Sequence, residues 1–370
     1  MSLAVVDFIR QHGLEKLKEE LKIEVNNTYT DRITLNYDQI ESPKHHPVIK
    51  ECRGLILSWP NLDVLARSFD RFYNYSEDPN SKDFPIDKCW VMEKVDGSLI
   101  SVYWDGQDWC CSTRKMAFAE GTTKIDNYTF RSLFVTAIGA ELNVAFSNCN
   151  KDCTYVFELV SPLTRVVKRY PDILCYALAV RNRVTGIFDP IILGINKLLA
   201  ISVKVLKPAI FKFDDIDKVI NTANSLPIED EGYVCTYEDL IENTVWRIKV
   251  KNKGYLAIAH MRGNGELSTK RIAYLVLKNE TDEYLGMFPE DKQFFQPYFD
   301  AFEKVKKLIE ELREKVKGIT DQKEYAMIVK DTPAAGIMFC LKKGMTLNDI
   351  FEKMSDNSRE ELLNKFVEEK

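Results

Sequence analysis

Cys89-Trp90-Val91-Met92-Glu93-Lys94-Val95-Asp96-Gly97-Ser98-Leu99-Ile100-Ser101-Val102-Tyr103 sets a lysine between two apolar runs. The runs 89–92 and 99–103 read as strands, and Glu93 to Ser98 as a tight polar turn between them. Most lysines lie on solvated faces. One at the end of a strand and the head of a turn is instead placed in a pocket wall. There, neighbouring cations or partial desolvation lower its pKa and expose the lone pair. Such an amine attacks a carbonyl, giving a Schiff base, or a phosphorus, giving a phosphoramidate. The rest of the chain has to choose.

Four further islands carry polar residues where a core argument would not put them. Glu51-Cys52-Arg53-Gly54 precedes a strand at 55–57. Glu158 ends the run Tyr155-Val156-Phe157 and is followed by Leu159-Val160-Ser161-Pro162. Glu229-Asp230-Glu231-Gly232 runs into Tyr233-Val234. In Trp246-Arg247-Ile248-Lys249-Val250-Lys251, a period of two sets Arg247, Lys249 and Lys251 on one face of a strand. Each has a bland alternative: alternating cations form the wet face of many sheets, acidic turns before strands are commonplace, and a lone Lys-x-Asp-Gly is only modestly specific. Their order raises the weight of the set. A lysine turn is followed by an acid on a strand, then Glu-Gly, then an alternating lysine strand.

Together the islands read as a phosphoryl-transfer site. The cationic strand holds an α-phosphate and withdraws electron density from it, while carboxylates hold a divalent metal bridging phosphate oxygens. Pyrophosphate then leaves in line with the incoming Lys94 amine, and glycines let the backbone approach the nucleotide. A Schiff-base lyase has little use for three aligned cations. No Gly-x-x-x-x-Gly-Lys-Ser/Thr sequence is present, which excludes phosphate-binding-loop kinases and ATPases.

The composition is globular: 370 residues, 45% hydrophobic and 29% charged, enough to bury a core in two domains. A net charge of −5 argues against nonspecific coating of nucleic acid but leaves room for a local basic groove. Nine cysteines, an odd number lying mostly in apolar runs, read as buried reduced thiols of an intracellular protein. Cys149-x3-Cys153 has no second pair and no nearby histidine to make a zinc site. The apolar start is broken by Asp7 and Arg10, so it reads as an opening helix and not as a signal peptide. No run approaches the roughly 18 apolar residues of a membrane span.

Periodicity predicts a helix over 4–21, then mostly strand from about 25 to 260, with helices at about 120–146 and 190–223. No βαβ rhythm is present, so this is an α+β body on antiparallel sheets. After about 262 the texture turns helical, at 268–277, 294–316, 324–328, 347–354 and 358–367. The expected division is a catalytic domain over 1–260 and an all-α domain over 261–370.

The motifs resemble those of the covalent nucleotidyltransferase superfamily, which holds the ATP-dependent RNA and DNA ligases and the mRNA capping enzymes. Within it, the chain is similar to the tRNA-repair branch of RNA ligases of T-even bacteriophages. The matching stretches are Lys94-Val95-Asp96-Gly97-Ser98, Glu51-Cys52-Arg53-Gly54, Glu158 with its trailing segment to Val167, Glu231-Gly232-Tyr233-Val234 and Lys249-Val250-Lys251. Arg67 to Asn74 also matches, with Arg71 where that branch has a phosphate-contacting lysine. That swap keeps the charge and changes the geometry.

The resemblance implies the antiparallel-sheet nucleotidyltransferase fold of the ATP-grasp-like DNA/RNA ligase type. It also implies ATP-dependent joining of RNA 5′-phosphate and 3′-hydroxyl ends through lysyl-AMP and RNA-adenylate. Lys94 would be the nucleophile, and Glu158 and Glu231 the nucleotide and metal acids. Arg53 and Arg71 would contact phosphates, Lys249 and Lys251 the α-phosphate, and Tyr37 would lie near the nucleotide. The metal would be magnesium, with manganese as the substitute. The partner would be RNA, such as a broken tRNA, the protein a monomer, and its place the cytoplasm of an infected host. A DNA ligase or capping enzyme would share these residues but normally continues into a small β-barrel, where this chain turns helical. A non-catalytic RNA-binding protein of the same fold has no use for a pocket lysine followed by Asp-Gly. The helical tail is expected to recognise RNA or, alternatively, only to stabilise.

Overall fold

The computed structural model describes residues 3–38, 41–78, 80–123, 127–261, 267–278 and 280–367. The chain divides into two compact units, Met1–Ile258 and Ala259–Lys370.

In the first unit, helix α1 (Ala4–Leu21) buries Val5, Val6, Ile9, Leu17 and Leu21. These pack with Ile33 and Leu35 of β2 and Leu55 and Leu57 of β3. The sheet beneath is antiparallel, in the order β1 (Ile23–Asn26), β2 (Arg32–Tyr37), β3 (Arg53–Ser58), β4 (Val64–Ala66). The short helix α2 (Pro47–Glu51) leads directly into β3.

The remaining strands form two five-stranded sheets. In chain order the elements are β5 (Tyr73–Asn74), β6 (Trp90–Glu93), β7 (Ser98–Trp104), β8 (Trp109–Ser112), α3 (Phe130–Ile138), α4 (Leu142–Ala145), β9 (Cys153–Val160), β10 (Leu174–Asn182), α5 (Ile191–Leu199), β11 (Val205–Leu206), β12 (Ile210–Phe211), α6 (Ile216–Asn224), β13 (Gly232–Asp239), β14 (Thr244–Lys251) and α7 (Lys253–Met261). One sheet runs β11-β10-β9-β7-β8, the other β12-β6-β13-β14-β5. All pairs are antiparallel except β10 with β11 and β14 with β5. Apolar residues of α3, α4 and α5 cover the first sheet, with Phe134, Phe146, Phe157 and Ile195 fully buried. Val219 and Ala223 of α6 pack on Val91, Cys235 and Ile248 of the second.

Two expected helices are shorter than their periodicity suggested. The helix expected over 120–146 starts at Phe130, where the Thr129 side chain accepts the Ser132 N–H, and ends at Gly139, left-handed at φ 71°. Residues 124–126 of that expectation lie outside the described residues. The span 190–223 is not one helix but α5 and α6, separated by β11 and β12. Pro208 stands between those two strands, where it has no N–H to give and disfavours helix in the residue before it.

The second unit is all-α among its described residues: α8 (Thr269–Leu277), α9 (Thr281–Met287), α10 (Lys292–Lys315), α11 (Gln322–Val329), α12 (Ala335–Lys342), α13 (Leu347–Lys353) and α14 (Asp356–Asn364). Helix α10 buries Phe295, Tyr298, Ala301, Val305, Ile309 and Leu312, one face at helical spacing. Each large side chain on that face contributes about 1.5–3 kcal/mol by leaving water. The sequence did not announce α9 and α12. The expected change of texture after about 262 falls on 262–266, outside the described residues. No described helix is long and apolar enough to cross a membrane.

Candidate active site

Sheet order brings the islands together. β6 lies beside β13, with Glu93 opposite Tyr233, and β13 lies beside β14, with Gly232 opposite Lys251. The Lys94 N–H continues the ladder by donating to the Gly232 carbonyl at 2.9 Å. Gly232 sits at φ +125°, where a Cβ would stand 2.2 Å from the Val250 carbonyl oxygen, so only glycine fits. Gly97 is constrained by packing: a Cβ there would meet the Leu159 carbonyl at 2.3 Å, beside Glu158 of β9. The close approach of this turn to β9 brings Glu158 up to the lysine.

At the centre, Glu231 bridges two lysines. Its carboxylate accepts from Lys94 Nζ at 2.6 Å and from Lys251 Nζ at 2.7 Å, and its side chain is only 6% exposed. Burial alone would raise the Glu231 pKa, yet the two ammonium groups hold it below the usual carboxylate range. The expectation of a lowered pKa at Lys94 is overturned. Burial does work against its charge, but Glu231, Glu158 and Asp96 outweigh it and hold the pKa above the ordinary lysine value. The depressed lysine is Lys249, pushed down to about 7 by burial and then by Lys94, Arg53 and Lys251. Glu158 goes the other way: burial pushes it up to about 7 in spite of Lys94.

On β14, Ile248 and Val250 are buried while Arg247, Lys249 and Lys251 are half-buried on the opposite side. The three cations do not meet the same partners. Lys251 pairs with Glu231, Lys249 lies over the Phe72 ring at 5.2 Å, and the Arg247 guanidinium carbon lies 4.8 Å from the Phe69 and 4.1 Å from the Phe188 ring centroid.

Arg53, Arg71 and Arg114 gather around Tyr37. The Arg71 guanidinium carbon is 4.1 Å from the ring centroid and that of Arg114 5.1 Å. Burial would raise the Tyr37 phenol, but Arg114, Arg53 and Arg71 hold it below its ordinary value. Arg53 Nη1, Arg71 Nη1 and Arg114 Nε are buried with no hydrogen-bond partner among the described residues. Unmade donors on buried cations are costly, and a polyphosphate supplies the acceptors and charge they lack.

Arg114 was missed from the sequence, where Thr113-Arg114-Lys115 after a strand carries no distinguishing signal. Tyr255 was also missed. Its hydroxyl donates to Asp96 at 2.6 Å, while the other Asp96 oxygen accepts the Val167 and Lys168 N–H groups, each at 2.8 Å. Glu51 is not a site residue: its carboxylate accepts the Val5 N–H at 2.9 Å and caps α1. Of that island, Arg53 alone joins the cluster. All nine cysteines are free, six of them buried and Cys110, Cys149 and Cys340 half-buried.

Among the described residues no group of three or more His, Cys, Asp or Glu side chains could hold a metal ion by itself. Glu158 and Glu231 suit magnesium in another way. That hard cation is commonly bound through one or two carboxylates, with substrate phosphates and waters completing the shell.

The family described as RNA ligase matches residues 51–255, more than half of the chain. The "Putative bifunctional polynucleotide kinase/RNA ligase" of Autographa californica nuclear polyhedrosis virus is 33% identical over 320 residues, covering 81% of this chain and 44% of its own. The "RNA ligase" of Rhodothermus phage RM378 is 23% identical over 297 residues, covering 65% of this chain and 66% of its own. This chain therefore spans less than two thirds of either relative's length. A solved "Archaeal ATP-dependent RNA ligase" superposes with a TM-score of 0.46 at 15% identity, over 92% of this chain and 81% of that one. The matched segment carries the lysine turn, both glutamates and the cationic strand, and by it the chain belongs to the RNA ligase family.

Proposed function

We propose that this chain is an ATP-dependent RNA ligase with Lys94 as its covalent nucleophile. The observation that carries the reading is the junction of Lys94, Glu231 and Lys251 beside buried guanidinium donors that lack partners. In the first step, Lys94 Nζ gives up its proton to solvent water and attacks the α-phosphorus of ATP. A P–N bond forms, the bond to the bridging oxygen of the β-phosphate breaks, and pyrophosphate leaves. An oxygen of an RNA 5′-phosphate next attacks the same phosphorus and displaces Lys94. Finally, a 3′-hydroxyl attacks the activated 5′-phosphate and AMP leaves.

Lys249 and Lys251 draw charge from the α-phosphate, while Arg53, Arg71 and Arg114 take the outer phosphates near Tyr37. Glu158 and Glu231 would hold magnesium or manganese, which supplies Lewis-acid polarisation of phosphate oxygens. For that, Glu231 must exchange a lysine contact for the cation. The substrates are RNA ends such as those of a broken tRNA, in a cytoplasmic repair role, with the protein acting as a monomer. The catalytic body is assigned to residues 1–260, and recognition of RNA shape to the helical 261–370.

One gel tests the reading. The wild-type chain, incubated with α-labelled ATP and magnesium, is expected to carry acid-labile AMP. Lys94→Ala is expected to lose the adduct and the sealing of 5′-phosphate RNA, yet still seal RNA that already bears 5′-AMP. An AMP adduct on Lys94→Ala at the wild-type level overturns the assignment.

A further inference from the structure

Arg181, on β10, is a charged residue 4% exposed for which the reading above has no use. Four of its five guanidinium N–H groups are engaged. Nη1 donates to the Ser68 carbonyl at 2.7 Å and to Asp70 Oδ1 at 2.9 Å, Nη2 to Asp70 Oδ2 at 3.0 Å, and Nε to the Gly186 carbonyl at 2.8 Å. Asp70 is also gripped by Arg67, at 3.2 and 3.1 Å. A buried ion pair is weak evidence of added stability, because a well-packed apolar pair is often as stable or more so. What it does fix is geometry.

The segment fixed here is the one that connects the phosphate cations. Asp70 is followed directly by Arg71, whose N–H donates to the Lys50 carbonyl at 2.7 Å. The Ser68 hydroxyl donates to the carbonyl of Arg53 at 3.3 Å. Phe69 lies 5.9 Å from the Arg53 guanidinium carbon and stacks on Phe188, which Arg181 also faces at 4.5 Å. Farther along, Asn74 is in register with Lys249. Arg181 thus ties β10, which lies in a different sheet, to the backbone that carries Arg71 and braces Arg53.

We propose that Arg181 and Asp70 form a positioning pair that sets where Arg71, and through Ser68 Arg53, present their guanidinium groups to the nucleotide phosphates. The proposal rests on the nucleotide-binding reading of those two arginines. It assigns no contact with ATP to Arg181 itself. Arg181→Lys keeps the charge but cannot reproduce a bidentate grip and two carbonyl contacts at once. Asp70→Asn removes the ion pair and keeps the shape.

The test is the Kd for ATP of the full chain, by calorimetry, with the melting curve recorded for every variant. Arg181→Lys and Asp70→Asn are each expected to weaken ATP binding about tenfold, the size of coupling usual for residues in one network. Against an Arg71→Ala background, Arg181→Lys should weaken binding by clearly less than tenfold, because the part of its effect that runs through Arg71 is already lost and only the part through Ser68 and Arg53 remains. The single-turnover rate of AMP transfer at saturating ATP should change less than Kd. The same loss with and without Arg71 would overturn the proposal, and so would a fall in rate at constant Kd. Loss of a cooperative melt in both single variants would make the pair a requirement for folding and overturn it too. If the wild-type chain binds ATP but never acquires AMP, the ligase reading fails, while the Kd comparison still decides this one.

Discussion

Two residues in the pocket have pKa values moved to about 7 from opposite sides, Glu158 upward and Lys249 downward, and Glu158 gives the clearer consequence. Its pKa is raised by burial from 4.5 to about 7, so below pH 7 the folded state prefers the neutral acid. A raised folded pKa gives stability that is fully present below the unfolded value and is lost as pH climbs through 7. Without nucleotide and metal, Glu158→Gln is therefore expected to be more stable than wild type at pH 8, by up to about 3 kcal/mol. At pH 5, where the wild-type carboxyl is neutral in the fold, the two should nearly coincide. Denaturant titration at both pH values checks this, and equal differences at the two would refute it. Magnesium with ATP should reverse the order at pH 8, because the neutral amide makes a poor ligand for a hard cation.

Among the elements, β14 shows what alternation can and cannot reveal. Its period of two correctly separates Ile248 and Val250 from the cations. Lys251, in contact with Glu231, and Lys253 are close in sequence and far apart in consequence. Lys253 is exposed and is the first residue of α7, not part of a loop after the strand. Lys251→Ala is expected to slow AMP transfer to Lys94 on the order of 100-fold, about 3 kcal/mol of transition-state stabilisation, while Lys253→Ala changes it little. Rapid-quench kinetics with melting curves separates the two, and equal rates for both variants would remove Lys251 from the chemistry. The lysine turn, the Glu-Gly junction and β14 were legible because strand periodicity and glycine chemistry act within a few residues. Arg114, Tyr255 and Arg181 were not, because they reach Asn36, Asp96 and Asp70 across sheet order that no local pattern encodes. The partner of Glu51 was hidden for the same reason, since it is the first turn of α1.

For the whole molecule, the change from strands to helices was visible because α10 and its neighbours carry apolar stripes at helical spacing. The break of 190–223 into α5 and α6 was hidden because the short strands β11 and β12 are two residues each, and Pro208 between them was the local warning. A chain ending at residue 261 keeps α7 and hence the Tyr255 contact with Asp96. If it melts cooperatively, it is expected to form lysyl-AMP and to lose the preference for a nicked tRNA over a simple oligonucleotide, since shape recognition rests on phosphate and sugar contacts. A folded truncation that retains the full preference would leave the helices a stabilising role only. Glu231 has a further consequence for a protein in a cell rich in reactive small molecules. An amine that attacks phosphorus as proposed would also react with aldehydes, acyl phosphates and isocyanate. With Lys94 clasped at 2.6 Å and its pKa raised by Glu231, the carboxylate would withhold the amine's lone pair from such electrophiles as a safety catch.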